Sequence, residues 1–521
     1  MSEGGEKELG IIVGVAKPDY VRFESRRPVS VGEYVVMQSC GEKILALVER
    51  SFVKSDALGD SIRNYDEASE SLQVAAENKR DKSYKADARI IGYLEKLRRC
   101  KAVMPALPPE PGTLIYEATT ADLAKVFAPE GTEWAHMGSL LRNVEVEVRA
   151  NIDKVVSRHL AVLAMTGMGK SNLVSLLAKE IARVGGTMII FDYHDDYSTL
   201  DLGRNAANLM PAKINPRMLP ADKLAEVIEI QENASNQIHV LRQALTQDVQ
   251  QRKGDDFWDS LVAGARAVGA EEKMYREAAA KVEDKIDYVR KKFRNILDPG
   301  MADPIALIKN GKINVINLVE LTEKQANVSV SYYLEELLDD RKRATRQAKD
   351  RIQSAEDLKS PPRFNAPVLV VIEEAHVFIP KDEKTETKYF ASKVAREGRK
   401  FGLGLVIVSQ RPRSIDANIL SQMGSLAVMR MIQPDDQMQV SAASEALSRD
   451  LIDQLPSLNP GEAVFAGQWV NLPTFVRADE VKERKIGGDL KAVEQWSQLA
   501  AAKEIAKESS DSYVPPGYIQ D

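Results

Sequence analysis

The chain has 521 residues, too many for one ordinary core, so two to four domains are expected. Hydrophobic residues make up 44% and charged residues 28%, the composition of a soluble globular protein, and 71 basic against 77 acidic residues leave a net charge of −6 that excludes a surface basic all over. A narrow basic channel stays compatible with that balance, since only the local potential matters there. The sequence has no apolar run of the length a spanning helix needs, and its polar, acidic start MSEGGEKELG is unlike a secretory leader, so a cytoplasmic protein without membrane association is expected. Cys40 and Cys100 are far apart and read as two reduced, buried thiols.

Residues 9–53 hold four short β-rich runs, GIIVGV, YVRFES, EYVVMQ and ILALVERSFV. Their close spacing predicts a small barrel. A polar helix follows in NYDEASESLQVAAENK, strand character returns at ADARIIGYLEKL, and PALPPEPG (105–112) marks a turn-rich crossing. This first region is expected to cover 1–145. The texture then changes. HLAVLAM, GTMIIFD, INVINLV, APVLVVIEE and GLGLVIVSQ are nearly continuous apolar runs, as in strands buried on both faces of a parallel sheet. With helical segments between them they predict an α/β core over 150–216 and 301–480. Residues 217–300 read as a helical bundle inserted between the second and third strands, and 481–521 as a C-terminal helix with an extended tail.

The stretch from Ala164 to Ser171, AMTGMGKS, fits G-x-x-x-x-G-K-[ST] at every fixed position but the first. Gly167 and Gly169 permit the backbone angles that turn amide N–H groups toward a β-phosphate. Lys170 reaches the β- and γ-oxygens, Ser171 ligates Mg²⁺, and the helix that begins there points its positive end at the anion. Thr166, Gly167, Met168, Gly169, Lys170, Ser171 and Asn172 are therefore the expected ATP-binding residues. Ala164 is tolerable there if its φ is negative, and Met168 occupies a variable position.

VLVVIEEAH (368–376) is an apolar strand ending in two glutamates. At such a strand end Glu373 can hold a Mg²⁺-bound water, and Glu374 can orient and deprotonate the water that attacks the γ-phosphate. Gln410, at the end of the following strand, can sense the γ-phosphate; a polar strand end is the plainer alternative. Arg396 and Arg399 lie three apart on one predicted helix, and Arg158 just precedes the first core strand. Either arginine site can serve a neighbouring subunit as an arginine finger, or be an ordinary surface charge. The five histidines show no metal spacing, and His376 reads as a hydrogen-bonding support for Glu374.

RHLAVLAMTGMGKSN, IIFDYHDDY, VLVVIEEAH, AREGRKFGLGLVIVSQRP and LPSLNPGEAVFAG follow one another as in the archaeal HerA proteins of the HerA–FtsK superfamily, and the early strands around VSVGEYVVM resemble the HAS barrel of that family. The similarity spans nearly the whole chain. Ala164, Met168 and Glu373 depart from the wider pattern of Gly, a small residue and Asp. The resemblance implies a RecA-like phosphate-loop ATPase core and a homo-hexameric ring with ATP sites between subunits. It implies an ATP-driven DNA translocase and helicase that acts with the nuclease NurA, beside Mre11–Rad50, on double-stranded DNA ends in recombinational repair. Carried over by motif, Lys170 and Ser171 hold ATP and Mg²⁺, Glu374 is the catalytic carboxylate, Arg158 and Arg399 match the arginines used across the interface, and Asp192 matches the acidic residue closing the second strand. The barrel is expected to carry NurA.

A ring motor must grip the phosphate backbone. Two stretches just beyond the catalytic edge are candidates: IPKDEKTETKYFASK with Lys381, Lys384, Lys388 and Lys393, and QRPRSID with Arg411 and Arg413. Solvated loops would read the same way. Contact independent of base sequence is expected. Two other readings stay open: an ATP-switched scaffold on DNA ends with little translocation, and a pumping ATPase of the secretion or conjugation type.

Overall fold

A computed structural model describes residues 7–481 and 497, apart from 40, 61, 78–80, 201, 203–206, 232, 350–360 and 445. Apart from residues 481 and 497, the expected C-terminal helix and tail lie outside the described residues, as does Cys40. Cys100, expected to be buried, is exposed.

The N-terminal strands are β1 (Glu8–Ile12), β2 (Tyr20–Ser25), β3 (Tyr34–Ser39), β4 (Glu42–Ser55), β5 (Lys82–Tyr93) and β6 (Leu114–Glu117), with helix α1 (Tyr65–Glu77) between β4 and β5. They close a barrel in the order β1-β2-β5-β4-β3-β6. Alternation sorts their side chains. Val35, Met37, Ile44 and Ala46 fill the barrel with Phe23 and Ile90. Tyr34, Val36, Leu45 and Leu47 point outward into the core of the larger unit. The Tyr34 hydroxyl shares a 2.9 Å hydrogen bond with Thr474, fastening the barrel to the main sheet. Strand β6 lies just beyond the stretch read as a crossing; four residues after a proline-rich turn carry too little pattern to predict.

Two short helices, α2 (Leu94–Leu97) and α3 (Thr120–Phe127), lead out of the barrel, α3 opening with a capping box between Thr119 and Asp122. Next come β7 (Trp134–Leu140), β8 (Asn143–Asn151), α4 (Ile152–Arg158), β9 (Leu160–Leu163), α5 (Lys170–Arg183), β10 (Thr187–Asp192) and β11 (Asn208–Pro211). Helices α6 (Ala221–Val227), α7 (Ser235–Ala244), α8 (Gln247–Gln251), α9 (Asp255–Glu271) and α10 (Arg276–Lys292) form a bundle around Trp258, Leu261, Val282 and Ile286. Then follow β12 (Ile313–Asn317), α11 (Glu323–Lys349), β13 (Val368–Ile372), α12 (Ala375–Phe378), α13 (Glu386–Phe401), β14 (Leu403–Ser409), β15 (Ser425–Met429), β16 (Glu462–Gly467) and β17 (Thr474–Ala478).

These strands build one sheet, β11-β12-β10-β13-β14-β9-β15-β16-β17-β7-β8. It is parallel from β11 to β15 and antiparallel beyond. The fully apolar strands are buried on both faces, Val162, Ile190, Val371 and Val406 on one side and Ala161, Ile189, Val370 and Leu405 on the other. Two expectations need correction. The first region was read as running to 145, but β7 and β8 belong to the large sheet; a hairpin's alternation does not disclose which sheet it joins. The helical bundle follows β11, an extra edge strand too short to register, rather than the second strand. No helix among the described residues is long and apolar enough to cross a membrane.

Candidate nucleotide site

Strands β9, β10, β13 and β14 run parallel and end at one edge. There the chain between β9 and α5 makes its loop. Gly167 and Gly169 take φ of +77° and +101°, angles that side chains with a Cβ adopt at a cost. Gly169 caps α5 without a side-chain hydrogen bond, so first-turn N–H groups remain for an anion. Ala164 is buried, has no positive φ, and donates its N–H to the Ser409 carbonyl at 3.2 Å. The missing first glycine therefore costs the loop nothing in geometry. Met168 packs on the core, and its carbonyl accepts from Gly461 N–H at 3.0 Å.

The Lys170 ammonium is buried and, among the described residues, makes only long contacts, to the carbonyls of Met165 (3.4 Å) and Ala164 (3.5 Å). Burial lowers its pKa, and Glu374, Glu373 and Asp196 oppose that. The cation is thus poised to exchange weak carbonyl contacts for phosphate oxygens. Ser171 donates its hydroxyl to Asp196 at 2.5 Å. Asp192, buried at the end of β10, accepts from the backbone N–H groups of Asp196 (2.9 Å) and Tyr197 (2.8 Å), so its task is to build the turn that presents them. Tyr197, fully buried, donates to Glu373.

The two glutamates differ in state. Burial pushes the Glu373 carboxyl up to about 8, against the Tyr197 hydrogen bond. For Glu374 burial also acts upward, but His376, Lys170 and His194 outweigh it and hold the carboxylate below its ordinary range. His376 Nδ1 stands 3.2 Å from Glu374 and 3.1 Å from the Ser409 hydroxyl; His194 Nε2 stands 3.4 Å from Glu374. Glu374 also has φ +45°, a strained angle for a glutamate, which aims it off the strand end. Gln410 meets Thr166 side chain to side chain, joining the end of β14 to the loop. Ser171, Asp196 and Glu373 bring oxygen atoms of the kind a hard divalent cation takes to this edge, but among the described residues no three acidic or histidine side chains stand together as a metal site.

Not every expected residue comes to this edge. Asn172 turns its amide to the far side, donating to the Asp479 carbonyl (2.8 Å) and accepting from Val481 N–H (2.9 Å). Arg158 ends α4, before β9, and exposed Arg399 sits in the last turn of α13, before β14. Both therefore lie at the opposite sheet edge from their own loop. Asp196 and Tyr197 were missed; the acidic run after β10 in FDYHDDY was the available signal, but only Asp192 was given a role.

The two candidate grip stretches do meet. Pro380 bridges Ile415, and Lys381 N–H donates to the Ser414 carbonyl at 2.8 Å. An open cleft of about 460 Å³ runs between them, lined by Lys381, Arg413, Asp382, Glu383 and Asp435. Lys381, Lys384, Arg411 and Arg413 are exposed. Lys388 is spent internally, on the Pro380 and Lys381 carbonyls and on Asp416 at 3.0 Å, and Lys393 lies over the Tyr389 ring. Arg413 stands 3.8 Å from Asp435.

The family model for the central domain of helicase HerA matches residues 135–337. The DNA double-strand break repair helicase HerA of Sulfolobus acidocaldarius is 34% identical over 517 residues, covering 96% of this chain and 99% of that protein. The protein of that name from Sulfurisphaera tokodaii is 36% identical over 517 residues, covering 96% and 98%. That from Pyrococcus furiosus is 31% identical over 556 residues, covering 95% and 97%.

Proposed function

Because the chain belongs to the HerA family of DNA helicases, we propose that it is an ATP-hydrolysing motor that translocates on and unwinds DNA at double-strand breaks. Its sites lie between subunits of a homo-hexameric ring. One observation carries this reading. Lys170 and Glu374 converge at one sheet edge while Arg158 and Arg399 stand at the other, so a complete site needs a second copy. In the loaded site the loop N–H groups and Lys170 hold the phosphates. Glu374, held below the ordinary carboxylate range by His376, Lys170 and His194, takes the proton of the attacking water. Gln410 reports the γ-phosphate to β14, and a neighbour's arginines stabilise the charge that develops. Ser171, with Glu373 and Asp196 nearby, would hold Mg²⁺, which would supply neutralisation of the phosphate charge. Lys381, Lys384, Arg411 and Arg413 ride on loops just beyond the catalytic residues and grip the backbone.

Double-stranded DNA ends are the substrate, the nuclease NurA is the partner seated on the barrel, and Mre11–Rad50 works beside it, in the cytoplasm at the nucleoid. The test measures ATP turnover with and without duplex DNA, strand displacement on blunt and tailed duplexes with and without NurA, and particle mass. DNA-stimulated turnover by a particle of six chains, lost in Glu374→Gln, is expected. A monomer without turnover in the presence of ATP and duplex would overturn the reading.

A further inference from the structure

We propose that His159 is a positioning residue that locks the arginine-bearing ends of α4 and α13 into one edge, presented to the neighbouring subunit's nucleotide. The inference rests on the reading that those arginines act in trans.

His159 is 2% exposed and closes α4 with φ +64°. Its Nδ1 accepts from Leu405 N–H at 3.0 Å, which leaves the proton on Nε2, and Nε2 lies 3.1 Å from the Ala395 carbonyl. One neutral imidazole therefore ties β14 to α13. Ala395 is one turn before Arg399, and Arg158 immediately precedes the histidine. Burial pushes the imidazole down to about 4, so this tautomer persists at neutral pH.

The surrounding backbone is cleared to let these elements touch. A Cβ on Gly404 would stand 2.7 Å from Val156 Cα in α4, and one on Gly424 would stand 3.0 Å from the Arg158 carbonyl, which accepts from Gly424 N–H at 2.7 Å. Arg158 is thus pinned on its backbone, and the His159 ring reaches from that corner to α13. Strand β14 continues from Leu405 to Ser409, next to Gln410. A single strand accordingly spans from the sensor at one edge to this bracket at the other. A buried apolar residue would fill the space, but it would not fix the helix ends by two directional bonds.

His159→Asn separates the two bonds. Its Oδ1 can still accept from Leu405, while its amide is too short to reach Ala395. The expected protein assembles, binds a fluorescent ATP analogue as tightly as the parent, and loses at least about tenfold in ATP turnover, a modest share of what a finger arginine supplies. The deciding measurement mixes subunits. His159→Asn chains have an intact loop and Glu374 but a loose arginine edge; Glu374→Gln chains have the reverse. Mixed rings are expected to turn over ATP several-fold faster than the sum of the separate proteins. No gain on mixing, or full turnover by His159→Asn alone, would overturn the proposal. Arg399→Ala mixed with Glu374→Gln is the parallel arm. No gain there overturns the trans reading itself, whereas a gain there without one for His159→Asn overturns only the positioning role. If the Asn protein does not assemble, His159→Gln, whose amide reaches Ala395, replaces it. Turnover within about threefold of the parent is then expected, and a full loss in an intact ring that mixing does not restore overturns the proposal.

Discussion

The Ser171 hydroxyl donates to the Asp196 carboxylate at 2.5 Å, across the turn that Asp192 builds after β10. The hydroxyl that a phosphate-loop site assigns to the metal is thus already oriented by a carboxylate of the next strand. A hydrogen bond to a charged group is worth about 1.5–3 kcal/mol. Asp196→Ala is therefore expected to raise the Mg²⁺ concentration needed for half-maximal nucleotide binding by about tenfold or more. Nucleotide affinity in EDTA should change little. Titration of a fluorescent ATP analogue at varied Mg²⁺ checks this; an unchanged Mg²⁺ requirement would remove Asp196 from the site.

Ala164 offers a test of the loop's odd first position. Its methyl is buried and its backbone needs no positive φ. Restoring the usual glycine should leave nucleotide affinity within about twofold and lower stability by about 0.5–1 kcal/mol, through greater freedom of the unfolded chain. Calorimetry together with nucleotide titration separates the two. A large gain in affinity would mean that the alanine distorts the loop.

The lysines and arginines beyond the catalytic edge divide by what they already touch. Lys381 and Arg411 are exposed, whereas Lys388 bonds carbonyls and Asp416, and Arg413 stands near Asp435. Lys381→Ala and Arg411→Ala should each weaken duplex binding regardless of sequence and lower the salt slope by about 0.9. Lys388→Ala should instead lower the thermal midpoint. Affinity measured from low to moderate salt, beside melting curves, distinguishes the two groups.

Much of this site was legible because its signals are local. The glycines at 167 and 169, Lys170 and the paired glutamates need only a strand before them and a helix after. Nearly continuous apolar runs announced a sheet buried on both faces. What stayed hidden depends on neighbours distant in sequence. The β7–β8 hairpin gives no sign of which sheet it joins. Tyr197 reads as an ordinary aromatic until β10 and β13 bring it to Glu373. Asn172 looks like a loop residue until β17 delivers Asp479 and Val481 to it.

The amide of Asn172 is occupied on both sides, by the Asp479 carbonyl and Val481 N–H. Asn172→Ala should therefore leave nucleotide affinity within about threefold. It should cost about 1–2 kcal/mol of stability for two lost hydrogen bonds. Denaturant unfolding beside nucleotide titration tests this, and an affinity loss without a stability loss would return Asn172 to the nucleotide.

His159 supplies the pH test. Its folded pKa is near 4, below the ordinary 6.5, so between those values the unfolded chain binds a proton that the folded chain refuses. The contribution is intact above pH 6.5 and is lost as pH falls toward 4, by on the order of 3 kcal/mol in all. Carboxylates titrate in the same window, so the quantity to compare is the difference between the parent and His159→Gln. The parent should lose stability faster than the variant from pH 6.5 to 4.5, with parallel curves above pH 7. Parallel curves throughout would mean that the imidazole is protonated in place and that its Nδ1 does not accept from Leu405.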